Sequence, residues 1–292
     1  MTEPKFINGK AIYTTKGAAR EYGRIGCNFY VGCPHNCSYC YLKRGLSSKY
    51  LGKTEVTLKK CFKDEDHALD VFCQEVQDNA DILRKTGVFF SFSTDPMIAA
   101  TRRLTLNAIA LLCDYSIKSS ILTKDASFIG DLDAQNKLER LDKSLVRWGF
   151  TLTGRDDMEP RASCNDERIE AMHSLREMGF RTFASIEPVI DWKSSWRVMV
   201  GSIGYCGHYM IGLRSGVKEN YYDLLQSGLA IRDFTEYIVT HGRTVYLKES
   251  TRALMRRCFI EEGCEQILAM TLDMDGQPYK KEGNYIPVDA RE

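Results

Sequence analysis

Cys33, Cys37 and Cys40 fall in one short run, Gly32-Cys33-Pro34-His35-Asn36-Cys37-Ser38-Tyr39-Cys40-Tyr41. Three and then two residues separate them, and the Gly, Pro and Asn between them suit a loop that turns three sulfurs toward one centre. The iron of a 4Fe–4S unit takes thiolate ligands, ordinarily four. Three leave one iron open, and an open coordination position is what a catalytic metal keeps. Two other readings stand beside this one: a zinc site completed by His35 or Cys27, and cysteines that are simply buried. Zinc knuckles usually carry two tight cysteine pairs, and only one is present here. Cys27 shares strand parity with Ile25, Phe29 and Val31, which assigns it to the core.

Such a loop needs a frame. A short apolar, β-rich run followed by a polar loop and a helix-period segment recurs along the chain. The predicted strands are Ile25–Val31, Val88–Ser93, Ser119–Leu122, Trp148–Leu152, Thr182–Ile186, Tyr209–Leu213 and Thr244–Leu247. Helices are predicted over Asp64–Arg84, Leu104–Cys113 and Asp166–Met178, the last with Asp166 as its N-cap and Ile169, Met172 and Leu175 on one face. Alternating strands and helices imply parallel pairing through right-handed crossovers. The expected fold is therefore α/β: a partial or nearly closed (β/α) barrel of six or seven mainly parallel strands, with its ligand site at their carboxyl ends. A single domain is expected over residues 1–292, with 1–22 as an N-terminal extension and 251–292 as a C-terminal helix and tail.

Cys-x3-Cys-x-aromatic-Cys directly after the first strand of such a series resembles the signature of the radical S-adenosylmethionine (SAM) superfamily. The resemblance implies a 4Fe–4S cluster on Cys33, Cys37 and Cys40, with SAM on the fourth iron and Tyr39 near its adenine. Further segments are similar to the spore photoproduct lyase-like group. They are Cys40-Tyr41-Leu42, Ser93-Thr94-Asp95-Pro96, Leu122-Thr123-Lys124, Phe150-Thr151-Leu152, Glu159-Pro160-Arg161 with Glu167-Arg168-Ile169, and Ile186-Glu187-Pro188-Val189. On that likeness Tyr39, Tyr41, Thr94, Asp95, Lys124, Thr151 and Glu187 are the candidate SAM contacts, and Thr94-Asp95 would hold the methionine end. The residue chemistry agrees in kind, because zwitterionic SAM needs a carboxylate for its cationic end and a cation or donors for its carboxylate. Asp95, Thr94, Lys124, Thr151 and Glu187 all fall at predicted carboxyl strand ends.

The carboxyl third departs from that group. Tyr209–Gly216 and Val245-Tyr246-Leu247-Lys248-Glu249-Ser250 look more like the uncharacterised phage-associated radical SAM group, whose last strands end in Gly-x-x-Ser-Gly and Phe-Lys. Photoproduct lyase also has a hydrogen-donating cysteine just before its Ser/Thr-Asp-Pro motif. Here that stretch is Phe89-Phe90-Ser91-Phe92-Ser93, without one.

Bulk properties narrow the remaining choices. The chain has 292 residues, 43% of them hydrophobic, and 40 basic against 39 acidic side chains leave a net charge of +1. No global field points at nucleic acid or membrane. Residues 1–16 are polar, and no run of about 18 apolar residues occurs, so neither a signal peptide nor a membrane span is expected. Eleven cysteines without secretion favour metal or redox use over disulfides, and the expected compartment is the cytoplasm. The resemblance implies a nucleic acid or nucleotide substrate, an electron donor such as flavodoxin or ferredoxin, and a monomer. A peptide- or metabolite-modifying radical SAM enzyme is the alternative, and a nonenzymatic zinc-binding module is the alternative from another class. Any nucleic-acid contact must come from a local basic cluster, for which Arg252, Arg256 and Arg257, with Arg102 and Arg103 at another strand end, are the candidates.

Overall fold

The computed structural model describes residues 6–45, 48–218 and 220–279. Residues 1–5 of the expected N-terminal extension and 280–292 of the expected tail lie outside them. The strands are β1 (Ile12–Thr14), β2 (Ile25–Cys27), β3 (Tyr30–Val31), β4 (Thr57–Leu58), β5 (Val88–Phe90), β6 (Ser119–Thr123), β7 (Val146–Thr151), β8 (Arg181–Val189), β9 (His208–Leu213) and β10 (Thr244–Leu247). The helices are α1 (Ser48–Leu51), α2 (Glu65–Thr86), α3 (Arg102–Asp114), α4 (Leu132–Arg140), α5 (Asn165–Glu177), α6 (Trp192–Ser202), α7 (Leu224–Thr240), α8 (Glu249–Cys258) and α9 (Glu261–Leu268). One sheet runs β1-β2-β5-β6-β7-β8-β9-β10, parallel throughout except for the antiparallel edge pair β1–β2. Neighbours in sequence are neighbours in space, and β1 and β10 are not paired, so the barrel is open, as expected.

Period-two alternation sorts the side chains. On β7, Val146, Trp148 and Phe150 join the main core under the helices, while Arg147, Gly149 and Thr151 face the lumen. On β8, Ala184 and Ile186 join that core and Phe183 belongs to a separate lumen cluster with Phe89, Met210 and Tyr246. Gly149 is required there: a Cβ at this position would overlap the Phe183 ring in the adjacent strand.

The open side is occupied by the segment between β1 and β2. Its 3-10 turn, Gly17–Glu21, brings Glu21 Oε1 to accept from the Tyr246 hydroxyl at 3.0 Å and from the Glu249 amide at 2.7 Å. Tyr22 follows into the lumen, where its hydroxyl lies 2.7 Å from Ser185 Oγ. Residues on both sheet edges are thus tied together.

Two expectations need correction. The run Ile25–Val31 is two strands, because Asn28 breaks out of the ladder: its Nδ2 donates to the Tyr13 hydroxyl at 2.6 Å and its Oδ1 accepts from the Phe92 amide at 2.8 Å. β3 then pairs with β4 in a small sheet of its own. The helix at Asp166 begins one residue earlier, with Cys164 as the cap: Cys164 Sγ accepts from the Glu167 amide, and the Glu167 carboxylate accepts from the Cys164 amide at 2.7 Å. Several arginines of the expected basic cluster have partners within the chain. Arg102 is buried and pairs with Asp131 at 2.8 Å, Arg103 pairs with Glu65, Arg252 packs over Tyr246 and Tyr279, and Arg256 pairs with Glu249 at 2.8 Å.

Candidate functional site

The cysteine loop leaves β3 at the carboxyl mouth of the barrel. Gly32 opens it with φ of +85°, in the left-handed region, and a Cβ there would overlap the Glu55 carbonyl. The Cys33 amide donates to the Lys53 carbonyl at 2.9 Å, and the Ser38 amide donates to the Met158 carbonyl at 3.0 Å. Cys37 and Tyr39 are buried against Ile190, with Cys40 and Met158 packed on them. Burial pushes the Cys33 thiol up to about 12 and raises Cys37 as well, against the pull of the nearby Lys124 amine.

His35 pins this loop to the sheet. Its Nε2 lies 2.9 Å from Asp95 Oδ2, and its Nδ1 lies 3.1 Å from the Arg161 carbonyl. Asp95 is buried at the end of the β5 loop and receives four donors. Oδ1 accepts from the Met97 amide at 2.9 Å and the Thr123 hydroxyl at 2.6 Å, and Oδ2 accepts from the Lys124 amide at 2.7 Å as well as meeting His35. Burial alone would raise this carboxyl, but the His35 charge and hydrogen bond, with the Thr123 and Lys124 donors, hold it well below the usual range. Burial likewise opposes charge on His35, and Asp95 reverses the direction, so its pKa is raised. The four donors fill the acceptor positions that a carboxylate has.

The neighbouring residues divide into filled and open groups. The Tyr39 hydroxyl donates to Glu159, whose other oxygen pairs with Arg168 at 2.8 Å; both ion-pair side chains are fully buried. Arg168 also donates to the carbonyls of Thr151 and Ser163, each at 2.8 Å, joining β7 to the α5 entrance. Arg161 is exposed and its carbonyl meets His35; the acidic side chains near it in sequence pair with other arginines, Asp157 with Arg155 and Glu159 with Arg168. The Tyr41 ring is exposed, and its hydroxyl donates to the Phe92 carbonyl at 2.5 Å. In contrast, Thr94 Oγ1 is buried and has no hydrogen-bond partner among the described residues. The Lys124 amine stands 5.8 Å from the Tyr39 ring; burial opposes its charge, but Cys37 and Glu159 outweigh that and its pKa is raised.

Thr151 and Ser185 are register partners on β7 and β8, buried and facing the lumen. Two residues further along β8, Glu187 accepts from the Tyr22 hydroxyl and from Lys248 Nζ at 2.6 Å. Lys248 is 2% exposed, lies 3.5 Å from Glu21 and sits 4.1 Å over the Tyr22 ring. Gly212 on β9 leaves the space for Glu187, since a Cβ there would approach its carboxylate to 2.7 Å. Gly212, which opens the Gly-x-x-Ser-Gly signal, and Lys248 therefore meet at Glu187 in the lumen, while Ser215 and Gly216 lie against the Arg44 guanidinium. Sequence reasoning missed His35 as the anchor, and missed Tyr22 and Lys248; strand parity with Tyr246 could have flagged Lys248.

Among the described residues no three His, Cys, Asp or Glu side chains converge on a point that a single metal ion could occupy. His35 is engaged at both ring nitrogens, and Cys27 is fully buried in the core.

No family model matches the chain. Over 185 residues, 62% of its length, it is 28% identical to an uncharacterized protein of Methanocaldococcus jannaschii, and the match spans 65% of that protein. Among solved structures, spore photoproduct lyase complexed with dinucleoside spore photoproduct superposes with a TM-score of 0.53 at 16% identity, covering 68% of this chain and 58% of that one. A variant of the lyase superposes with a TM-score of 0.62 at 13% identity, covering 80% and 79%. The match thus spans less than two thirds of the archaeal relative and of the first lyase structure. At these identities the likeness is one of fold, and the fold is the open barrel shared with spore photoproduct lyase.

Proposed function

We propose that the chain is a radical SAM enzyme whose 4Fe–4S cluster is held by Cys33, Cys37 and Cys40. The observation that carries the reading is the position of these three thiols: on a loop anchored by His35 and Asp95 at the carboxyl mouth of an open parallel barrel, beside the half-buried Lys124 side chain. The donor set fits a cluster better than a lone zinc ion. A cluster spreads its thiolates over separate irons, so the sulfurs need not meet at one point, whereas zinc needs four close ligands. When bound, the cluster and SAM supply the one-electron cleavage that makes a 5′-deoxyadenosyl radical.

The chain's own part is to bind and to shield. Thr94 Oγ1, buried and unpartnered, is a donor in waiting for a ligand atom. The Lys124 amine supplies positive charge beside thiolates and a ligand carboxylate. Thr151, Ser185 and Glu187 line the lumen below the mouth, and Tyr39 and Tyr41 flank the last cysteine. Asp95, with four protein donors, works as a positioning residue for the loop and for the Lys124 strand end. Below them the layer of Phe89, Phe183, Met210 and Tyr246 closes the lumen and keeps water from a reactive radical.

The substrate reading is a nucleic acid or nucleotide, supported by the fold shared with a lyase that was crystallised with a dinucleoside photoproduct. The return of hydrogen must differ, because no cysteine lies in Phe89–Ser93. One-electron reduction calls for an external donor of the flavodoxin or ferredoxin kind. The test is an anaerobic incubation with SAM and deuterated nucleotide or oligonucleotide substrates. Label appearing in 5′-deoxyadenosine supports the reading; label arriving only from peptides or small metabolites overturns the substrate class.

A further inference from the structure

Arg102, Arg103 and Arg256 are paired within the chain, and among the described residues cations without a carboxylate partner collect at the opposite, amino-terminal mouth of the barrel. A cavity of about 840 Å³ lies there, lined among others by Arg147, Arg181, Lys85, Lys118, Arg176 and His208. Arg147 forms its inner wall. It faces the lumen from β7, and its guanidinium carbon stands 4.6 Å from the centre of the Phe183 ring. Its register partner on β8 is Arg181, so two like charges are side by side. Among the described residues Arg147 has no carboxylate partner, and burial and Arg181 together lower its pKa to about 10.

The carboxylates that line the cavity do not relieve this. Asp275 is paired with Arg24 at 2.7 Å. Glu21 is taken by Tyr246, the Glu249 amide and Lys248. Asp273 Oδ1 accepts from the amides of Asp275 and Gln277. His208 is neutral at ordinary pH, its pKa lowered to about 3 by burial and by Arg147. Two adjacent like charges, one half-buried and neither with a carboxylate among the described residues, are unfavourable, so the site is suited to a ligand that brings the opposite charge. Planar guanidinium forks match the oxygens of a phosphate, and the cavity volume falls in the range of small-ligand sites.

We propose that the amino-terminal mouth of the barrel is a phosphate-binding site built on Arg147 and Arg181, separate from the cysteine end. The aromatic layer of Phe89, Phe183 and Tyr246 stands between the two ends. The site does not rest on the radical SAM reading, and a chain without any cluster would keep it.

The probe is inorganic pyrophosphate, followed by the thermal midpoint of the full chain against sodium chloride at equal ionic strength. Pyrophosphate is expected to raise the midpoint saturably, and chloride is not. Arg147→Met should weaken the apparent affinity by about tenfold or more, a loss of about 1.4 kcal/mol per factor of ten. The midpoint of Arg147→Met without ligand should not fall, because an unpaired cation is removed. The rim variant Arg181→Met gives the same readout should the first fail to fold. Thymidine 5′-phosphate and a short oligothymidylate, each as a competitor, separate the sources: equal competition per phosphate assigns a free phosphate ester, and tighter, salt-dependent competition by the oligomer assigns a polynucleotide backbone. A shift matched by chloride, a shift that survives both variants, or no competition by either phosphate ester overturns the proposal.

Discussion

His35 Nε2 and Asp95 Oδ2 lie 2.9 Å apart, sixty residues apart in sequence and both almost fully buried, and this contact fastens the cysteine loop to the strand ends. Breaking a buried charged pair by removing one partner typically costs about 3–5 kcal/mol. Asp95→Asn replaces one carboxylate oxygen by an amide nitrogen, which then opposes either the Lys124 amide and His35 at Oδ2 or the Met97 amide and Thr123 hydroxyl at Oδ1. It should lower unfolding stability by roughly 3 kcal/mol and reduce iron loading on reconstitution. Denaturant unfolding and iron analysis check this. A variant that loads iron and folds normally but binds SAM weakly would make Asp95 a direct SAM contact instead.

Lys248 and Glu187 form the lumen counterpart, 2.6 Å apart with Lys248 2% exposed. Lys248→Met and Glu187→Gln should each destabilise by about 1–3 kcal/mol, the first leaving the half-buried Glu187 with only the Tyr22 hydroxyl and the second leaving the buried Lys248 ammonium with only Glu21 at 3.5 Å. The double variant should lose less than the sum of the two, and the cycle should return a coupling energy above about 1 kcal/mol. Additive losses would mean that Tyr22 and Glu21, rather than the pair, carry the network.

Acid should weaken the fold through His208. Its folded-state pKa of about 3 lies below the ordinary imidazole value of 6.5, so between those limits the unfolded chain takes up a proton that the folded one refuses. Stability from this group is therefore complete above pH 6.5 and falls as the pH drops toward 3, by about 1 kcal/mol per unit. His208→Asn, which retains a polar atom toward Thr244 Oγ1, should flatten the stability profile between pH 6.5 and 5. An unchanged slope would show that other groups govern acid sensitivity.

The sequence made most of the barrel legible and less of the site. All seven predicted strands fall on strands of the sheet, because fully covered parallel strands are apolar and sharply bounded. β1 is three residues long, too short for a periodic signal, and the β2–β3 break depends on Asn28 reaching Tyr13 and Phe92, which no local pattern reveals. Thr151, Glu187 and Lys124 were readable as strand-end polar residues. His35 was readable only as a metal ligand, since its anchoring role exists once Asp95 and Arg161 arrive from distant segments. The partners of the arginines were not readable for the same reason: Asp131, Glu65 and Glu249 are brought to Arg102, Arg103 and Arg256 by the fold.

The central claim is the cluster on Cys33, Cys37 and Cys40, and anaerobic reconstitution of the parent chain beside Cys37→Ala and Cys27→Ala tests it most directly. The parent and Cys27→Ala should each bind about four irons and four sulfides. Both should release 5′-deoxyadenosine on reduction with SAM, Cys27→Ala with only the stability loss of a small core substitution. Cys37→Ala should lose the cluster absorption and all SAM cleavage. A parent chain that takes up about one zinc and no sulfide, or a Cys37→Ala chain that still cleaves SAM, would contradict the account.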